Sequence, residues 1–371
     1  MPIKSEYHDG RRLRPLEMRD CHHLWRCFEF QAGPLSSYRL SMSRSWYPSF
    51  RHPQSISKSA ALHFVFRRHV SHMVMMKQGP ETPYNGVRRM RLPIAGGLIF
   101  LTLAYFAAVQ LLRDSGTYLK PADEFCEKSA SDKAHQPCSR PDLAAFQISS
   151  GFAIFYVGWL GFKTWYISKT VHRNLPGTPE GRLFGWLHES ERIAAANFTF
   201  QVWDFIISLL IPEHCTAIFL THHLMAAVVS WFSLHYQILH YYGIYFLGLT
   251  ETSSIFLVLI DLARYFPPES GTVFAHIVAI CQPAFLISFF WYRVAMWWVI
   301  SWRLWSDVLT VTGNGRAEAL RPGKTFVLKY VYLPFNILLG LLQLHWFRFI
   351  MDETKKVVFG HEMPDHSQGT E

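Results

Sequence analysis

The sequence predicts an all-α protein, a polytopic transmembrane helical bundle of about seven spans. Composition is the first observation behind this. Half of the 371 residues are apolar and only 17% are charged, whereas a soluble domain of this length carries about a quarter charged residues. Thirteen Trp, 16 Tyr and 30 Phe are the second, far more than one globular core needs. The third is arrangement: several apolar stretches of 18 or more residues lack Lys and Arg, enough for a helix to cross roughly 30 Å of hydrocarbon. An ordinary soluble enzyme, a disordered chain and a disulfide-stapled secreted domain are excluded.

The N-terminal quarter stands apart. Residues 1–90 hold 15 Lys or Arg against six Asp or Glu, and the rest of the chain balances at 21 against 21, so the whole net charge of +9 lies here. A nucleic-acid binder would carry its basic footprint on the folded domain, and no nucleic-acid partner is expected. Residues 1–91 read as a basic, disordered extension. Being rich in Arg and Ser, they also suit an organellar transit segment. An extension upstream of initiation at Met73, Met75 or Met76 has the same composition. A transmembrane domain over 92–350 and a polar tail over 351–371 complete the division.

Seven spans follow in order. Leu92–Leu112 is apolar throughout, after Arg88, Arg89 and Arg91. Leu143–Phe162 carries Gly151, Gly158 and Gly161, which permit close helix approach. Ala194–Ile211 contains Asp204, and Cys215–Leu234 contains His222 and His223. Tyr241–Leu262 contains Glu251. Thr272–Tyr292 runs on into Trp297, Trp298, Trp302 and Trp305, either an interfacial stretch or the second arm of a helical hairpin. Val331–Phe347 is the last.

Basic residues before the first span place its start in the cytosol. The loop from Arg113 to Asp142 is then luminal. Its Cys126 and Cys138, eleven residues between them, lie where a disulfide persists and are expected to pair. The next loop, with Lys163, Lys169, Arg173, Arg182 and Arg192, and the 303–329 loop, with five basic residues, suit the cytosol.

Ionisable residues inside the membrane are costly and face the bundle interior, usually with a partner. Asp204 lies nine residues before Glu213, the tip between the third and fourth spans, and His222 nine after it. Both are therefore about 13 Å from that tip. Counted from Gln237, the next tip, His222 is 15 residues back and Glu251 14 forward. Asp204, His222 and Glu251 thus share one level on three antiparallel helices. A His between carboxylates has one ring nitrogen oriented and its basicity raised, which suits a general base or nucleophile. The same three residues equally suit a purely structural hydrogen-bonded lock. His223 is about 100° further round the helix. Arg293, some ten residues beyond this level, reads as a headgroup-snorkelling residue or a lipid contact. Asn336 and Gln343, seven apart, share a face suited to interhelical hydrogen bonds. Adjacent histidines do not set two ligands on one helical face, and no metal or cofactor is expected.

At these residues the sequence resembles the TLC domain, shared by ceramide synthases, translocating-chain-associated membrane proteins and a lysosomal-storage-disease protein of the endoplasmic reticulum. The resemblance lies in VWDFI around Asp204, THHLMAA around His222 and His223, the YYGIYFLGLTETSSIFL run with Glu251, Arg293 after Phe-Phe, Asn336 and the closing QLHWF. It covers roughly residues 92–350. It implies a helical bundle around a lipid-accessible cavity in the endoplasmic reticulum or another internal membrane. In the ceramide synthase branch the His pair is thought to carry acyl transfer, a role that falls by position on His222 and His223, with Asp204 and Glu251 beside them. That branch has a second carboxylate downstream, where this chain has Ser254. The Glu-x-Ser-Ser pattern looks more like the TLC-domain proteins implicated in phospholipid composition. Ser254, Arg293, Asn336 and Gln343 are the lipid-binding candidates.

The expected function is membrane lipid homeostasis, through phospholipid or sphingolipid composition, with membrane lipids as partners and the oligomeric state left open. The alternatives are a ceramide-synthase-type acyltransferase, for which acyl-CoA would be a substrate, and a cargo or translocation accessory of the endoplasmic reticulum.

Overall fold

The computed structural model describes residues 85–115, 140–266, 271–313 and 323–359. Within them there is no strand, and the chain passes seven times along one bundle axis. Helix α1 is Asn85–Asp114 and α2 is Pro141–Phe162, prolonged by a π turn at Lys163–Ile167. Two short helices, α3 (Thr170–Asn174) and α4 (Pro179–Phe184), cap the end of the bundle at which α1 begins. Helix α5 is His188–Ser208 and α6 is Ala217–Tyr236. The next passage is α7 (His240–Gly243), a π turn at Ile244–Leu249 and α8 (Glu251–Tyr265). Helices α9 (Val273–Phe289) and α10 (Met296–Gly313) are joined through a π turn at Phe290–Ala295. The last passage is α11 (Lys324–Val327), a π turn at Leu328–Tyr332 and α12 (Leu333–Phe359).

Six of the seven passages are long and apolar enough to cross a membrane. The exception is α5. Its Asn197, Gln201 and Asp204 dilute the hydropathy, yet all three are buried. The reason is packing, because α5 lies between α1, α2 and α6 and turns its polar stripe inward. A helix enclosed by other helices need not be apolar all round.

The alternatives over 272–305 resolve into one helical path, Val273–Gly313, 41 residues long. At 1.5 Å per residue it extends about 60 Å, twice the hydrocarbon thickness. A hairpin would need a break, and a π turn continues the helix instead. Its outer part is held by Asp307, which receives two hydrogen bonds of 2.6 Å from Arg182 of α4 and one of 2.5 Å from Tyr242.

Helix α1 begins at Asn85, ahead of the expected start at Leu92. The basic turn is retained in the helix, and Arg89 pairs at 2.6 Å with the buried Glu191 of α5. At its other end α12 runs on to Phe359, past the expected boundary at 350. The rest of the expected N-terminal extension, residues 1–84, and the loop cysteines Cys126 and Cys138 lie outside the described residues.

Helix α2 meets the α7–α8 passage through glycine. A Cβ on Gly161 would meet the carbonyl carbon of Gly248, and one on Gly158 would stand 3.1 Å from the backbone of Glu251. This crossing draws α7–α8 inward and fixes the height of Glu251. Helices α5, α6, α7–α8, α9–α10 and α12 then close around a cavity, with α1 and α2 outside that ring.

Candidate functional site

The cavity is narrow, with about 710 Å³ of unoccupied space when the solvent at its openings is counted in. Along α6 its lining runs from His222 to Ser233, about 16 Å at the helical rise. One end is polar, where His222, Glu251, Arg293 and Gln343 converge. The other is mostly apolar and ends at Leu239, Leu304, Tyr242 and Tyr332. Three of the four π turns among the described residues lie on its wall, contributing Phe246 and Leu247, Arg293, and Tyr332. A π turn inserts one extra residue and re-aims the side chains around it, which is why such turns recur at functional sites.

Arg293 is the centre of the polar end, and the snorkelling expectation fails there. Its side chain is buried. Nη2 lies 3.0 Å from Glu251 Oε2 and donates to Ser254 Oγ at 2.8 Å. Nη1 donates to Gln343 Oε1 at 3.3 Å, and Nε reaches Ser253 Oγ at 3.0 Å and the Thr250 carbonyl at 3.1 Å. The expectation erred because it ended the span at Tyr292. With the helix continuing to Gly313, Arg293 is its middle residue and stands level with Glu251. Ser254, where the acyltransferase branch has a carboxylate, donates to Glu251 Oε2 at 2.8 Å while accepting from Arg293. Ser254 is bonded to both charged partners, and the ion pair leaves the group without net charge.

The expected meeting of Asp204, His222 and Glu251 divides into two separate pairs. Asp204 Oδ1 lies 3.4 Å from Nε2 of His223, and Glu251 pairs with Arg293. The 100° between neighbouring residues of α6 decides this: His223 faces α5, and His222 faces the cavity. The His222 ring stands edge-on to Trp346, centroids 4.9 Å apart, and its Nδ1 is buried without a hydrogen bond.

A polar chain holds His223. Ser230 Oγ donates to the Ala226 carbonyl at 2.8 Å, so it accepts from Asn197 Nδ2 at 2.9 Å. Asn197 Oδ1 then accepts from Gln201 Nε2 at 3.2 Å, leaving Gln201 Oε1 to accept from His223 Nδ1 at 2.6 Å. The proton on Nδ1 is thereby fixed, and Nε2 is the atom that faces the carboxylate. The two stand 3.4 Å apart with no hydrogen bond between them. Ser208 donates to Asp204 Oδ1 at 2.9 Å. His223 is thus bonded to Gln201 on one side and faces Asp204 on the other.

Asn336 and Gln343 both line the cavity, Asn336 accepting from Trp305 Nε1 at 2.9 Å. Asn197, Gln201 and Tyr242 are lining residues that the sequence reading did not single out, and Trp297, read there as interfacial or in a hairpin arm, lines the cavity too. The first two had a signal. Asn197, Gln201, Asp204 and Ser208 recur every three or four residues, a polar stripe on one helical face.

The TLC-domain profile matches residues 145–352, more than half of the chain and all of the cavity. The protein belongs to the TLC-domain family. As a member of this family with six helices long and apolar enough to span, the TLC-domain protein is an integral membrane protein in contact with lipid. A comparison with curated proteins gives no match.

Proposed function

We propose that this TLC-domain protein acts in membrane lipid homeostasis, holding a lipid in its cavity and so affecting phospholipid or sphingolipid composition, in the endoplasmic reticulum or another internal membrane. The observation that carries this reading is the cavity itself, an apolar channel inside the spanning bundle that ends on a charge-neutral polar cluster. Such a site offers hydrocarbon contact along its length and hydrogen bonds to one polar group at its end. The test is a comparison of lipid extracts from cells with and without the protein. A reproducible change in phospholipid or sphingolipid species, reversed by restoring the gene, is expected. Identical profiles would overturn the reading.

The second reading is acyl transfer to a sphingoid base, and His222 favours it. Its Nδ1 is buried, unbonded and on the cavity wall, as a nucleophile or general base requires. Two features oppose it: Asp204 is committed to His223, and Ser254 replaces the second carboxylate. The purified protein supplied with a sphingoid base and a long-chain acyl-CoA separates the readings. Ceramide formation that His222→Gln abolishes would establish acyl transfer. No ceramide, together with a lipid profile that His222→Gln restores, supports the first reading.

A further inference from the structure

Outside the cavity, α6 and α12 form a second concavity, an open groove lined on one side by Ala217, Ile218, Thr221 and Met225. The other side is formed by leucines of α12 with His345 at the rim. Its relation to the cavity is the informative point. Thr221 and Met225 line the groove while their neighbours His222 and Ala226 line the cavity. On α12, Leu338 and Leu342 line the groove while Leu339 and Gln343 line the cavity. The partition is therefore one side chain thick on each helix.

That partition is lightly built. Helix α6 packs along its length against α5 but touches α12 over only a short stretch. Met225 and Leu339 belong to a small apolar cluster with Trp297, separate from the two large cores. Met is unbranched, with three rotatable bonds, and adapts to changes in packing. Met225 is the ninth residue of the 20 in α6, and Leu339 the sixteenth of the 32 in Lys324–Lys355. Both stand at mid-helix. At that depth a bilayer offers hydrocarbon and not headgroups.

We propose that the α6–α12 seam is the lateral passage by which the acyl chain of a bilayer phospholipid reaches the cavity, with Met225 and Leu339 as its movable wall. The inference rests on the cavity holding a lipid, as proposed above. An acyl chain lying in the groove needs only these two side chains to change rotamer, and no helix has to leave the bundle. Rotamer changes of this kind are far faster than domain motions.

The test uses the full-length protein in phosphatidylcholine nanodiscs doped with a phosphatidylcholine that carries a diazirine in one acyl chain. After photolysis, cross-linked peptides are mapped by mass spectrometry. The wild-type protein is expected to be labelled both in the groove, at Thr221 and Leu338, and in the cavity, at Ala226 and Leu339. Filling the groove from outside with Thr221→Trp and Leu338→Trp should lower the cavity label several-fold. Both positions are exposed, so the melting temperature should hold. Ile280→Trp with Ile287→Trp, at exposed positions on α9, should leave the cavity label unchanged. Undiminished cavity label in the groove-filled variant would overturn the passage and leave the lipid-holding cavity standing. Label confined to the groove in the wild type would overturn both.

Discussion

The guanidinium of Arg293 and the carboxylate of Glu251 meet at 3.0 Å, midway along two helices that cross the bundle, with Ser254 bonded to both. An ion pair at this depth is tolerated because each partner cancels the other and hydrogen bonds from neighbouring side chains support it. Breaking it from one side should cost far more than removing it whole. Arg293→Met is expected to destabilise the protein by about 3–5 kcal/mol, the usual penalty for stranding a buried charge. Arg293→Met combined with Glu251→Met should recover part of that loss. Thermal unfolding in detergent measures both. A double variant less stable than either single one would contradict the pairing.

The two adjacent histidines should respond differently to truncation. His223→Ala removes the partner of both Asp204 and Gln201, and a loss of about 3 kcal/mol or more is expected. His222→Ala removes ring contacts with Trp346 and His223 but no Nδ1 hydrogen bond, so it should cost less. Equal losses in melting temperature would mean that His222 is as firmly bonded as its neighbour.

Acid should weaken the turn between α5 and α6. His214 is largely enclosed there, edge-on to Phe146 at 4.4 Å with Nδ1 unbonded. Burial pushes its pKa down from 6.5 to about 4, against the smaller opposing effect of Glu213 and Asp142. The unfolded chain takes up a proton near pH 6.5, while the folded chain waits until about pH 4. Stability is therefore lost as pH falls across that window, by at most about 3 kcal/mol. His214→Phe should flatten this part of the stability curve. Unchanged pH dependence in that variant would assign the acid sensitivity elsewhere.

Cys215 is disulfide-bonded and sits at the bundle end opposite the start of α1, whereas Cys281 is a buried free thiol. If the basic start of α1 is cytosolic, Cys215 and the 113–142 loop are luminal, in a compartment where disulfides persist. In intact microsomes, an impermeant maleimide applied from the cytosolic side should modify none of Cys126, Cys138 and Cys215. Permeabilisation with reduction should expose all three. Labelling in sealed vesicles after reduction with an impermeant phosphine would reverse the topology.

How much of this was legible in the sequence depends on the range of the interaction involved. Span positions follow from runs of apolar residues, a local property that the hydrocarbon thickness converts directly into helices. Depth is local too: counting 1.5 Å per residue from the turns brought Asp204 level with His222, and the structure has it 3.4 Å from the neighbouring His223. Even the α2 crossing was marked, because Gly158 and Gly161 face the backbone of the α7–α8 passage.

Rotation about the helix axis was not legible. Whether His222 or His223 turns toward Asp204 depends on how α6 is rolled against α5, and that roll is the outcome of contacts along the whole interface. The structure has His223 against Phe219 and Gln201 and leaves His222 to the cavity. Arg293 illustrates the same limit along the axis. Its place at a helix midpoint depends on a π turn that keeps the helix going beyond Tyr292, and no local apolar count marks such a turn. The sequence by itself determined an all-helical membrane bundle and the shared depth of Asp204 and His222. Only tertiary structure decided which of them face one another, because partner choice inside a bundle is set by packing between helices remote in sequence.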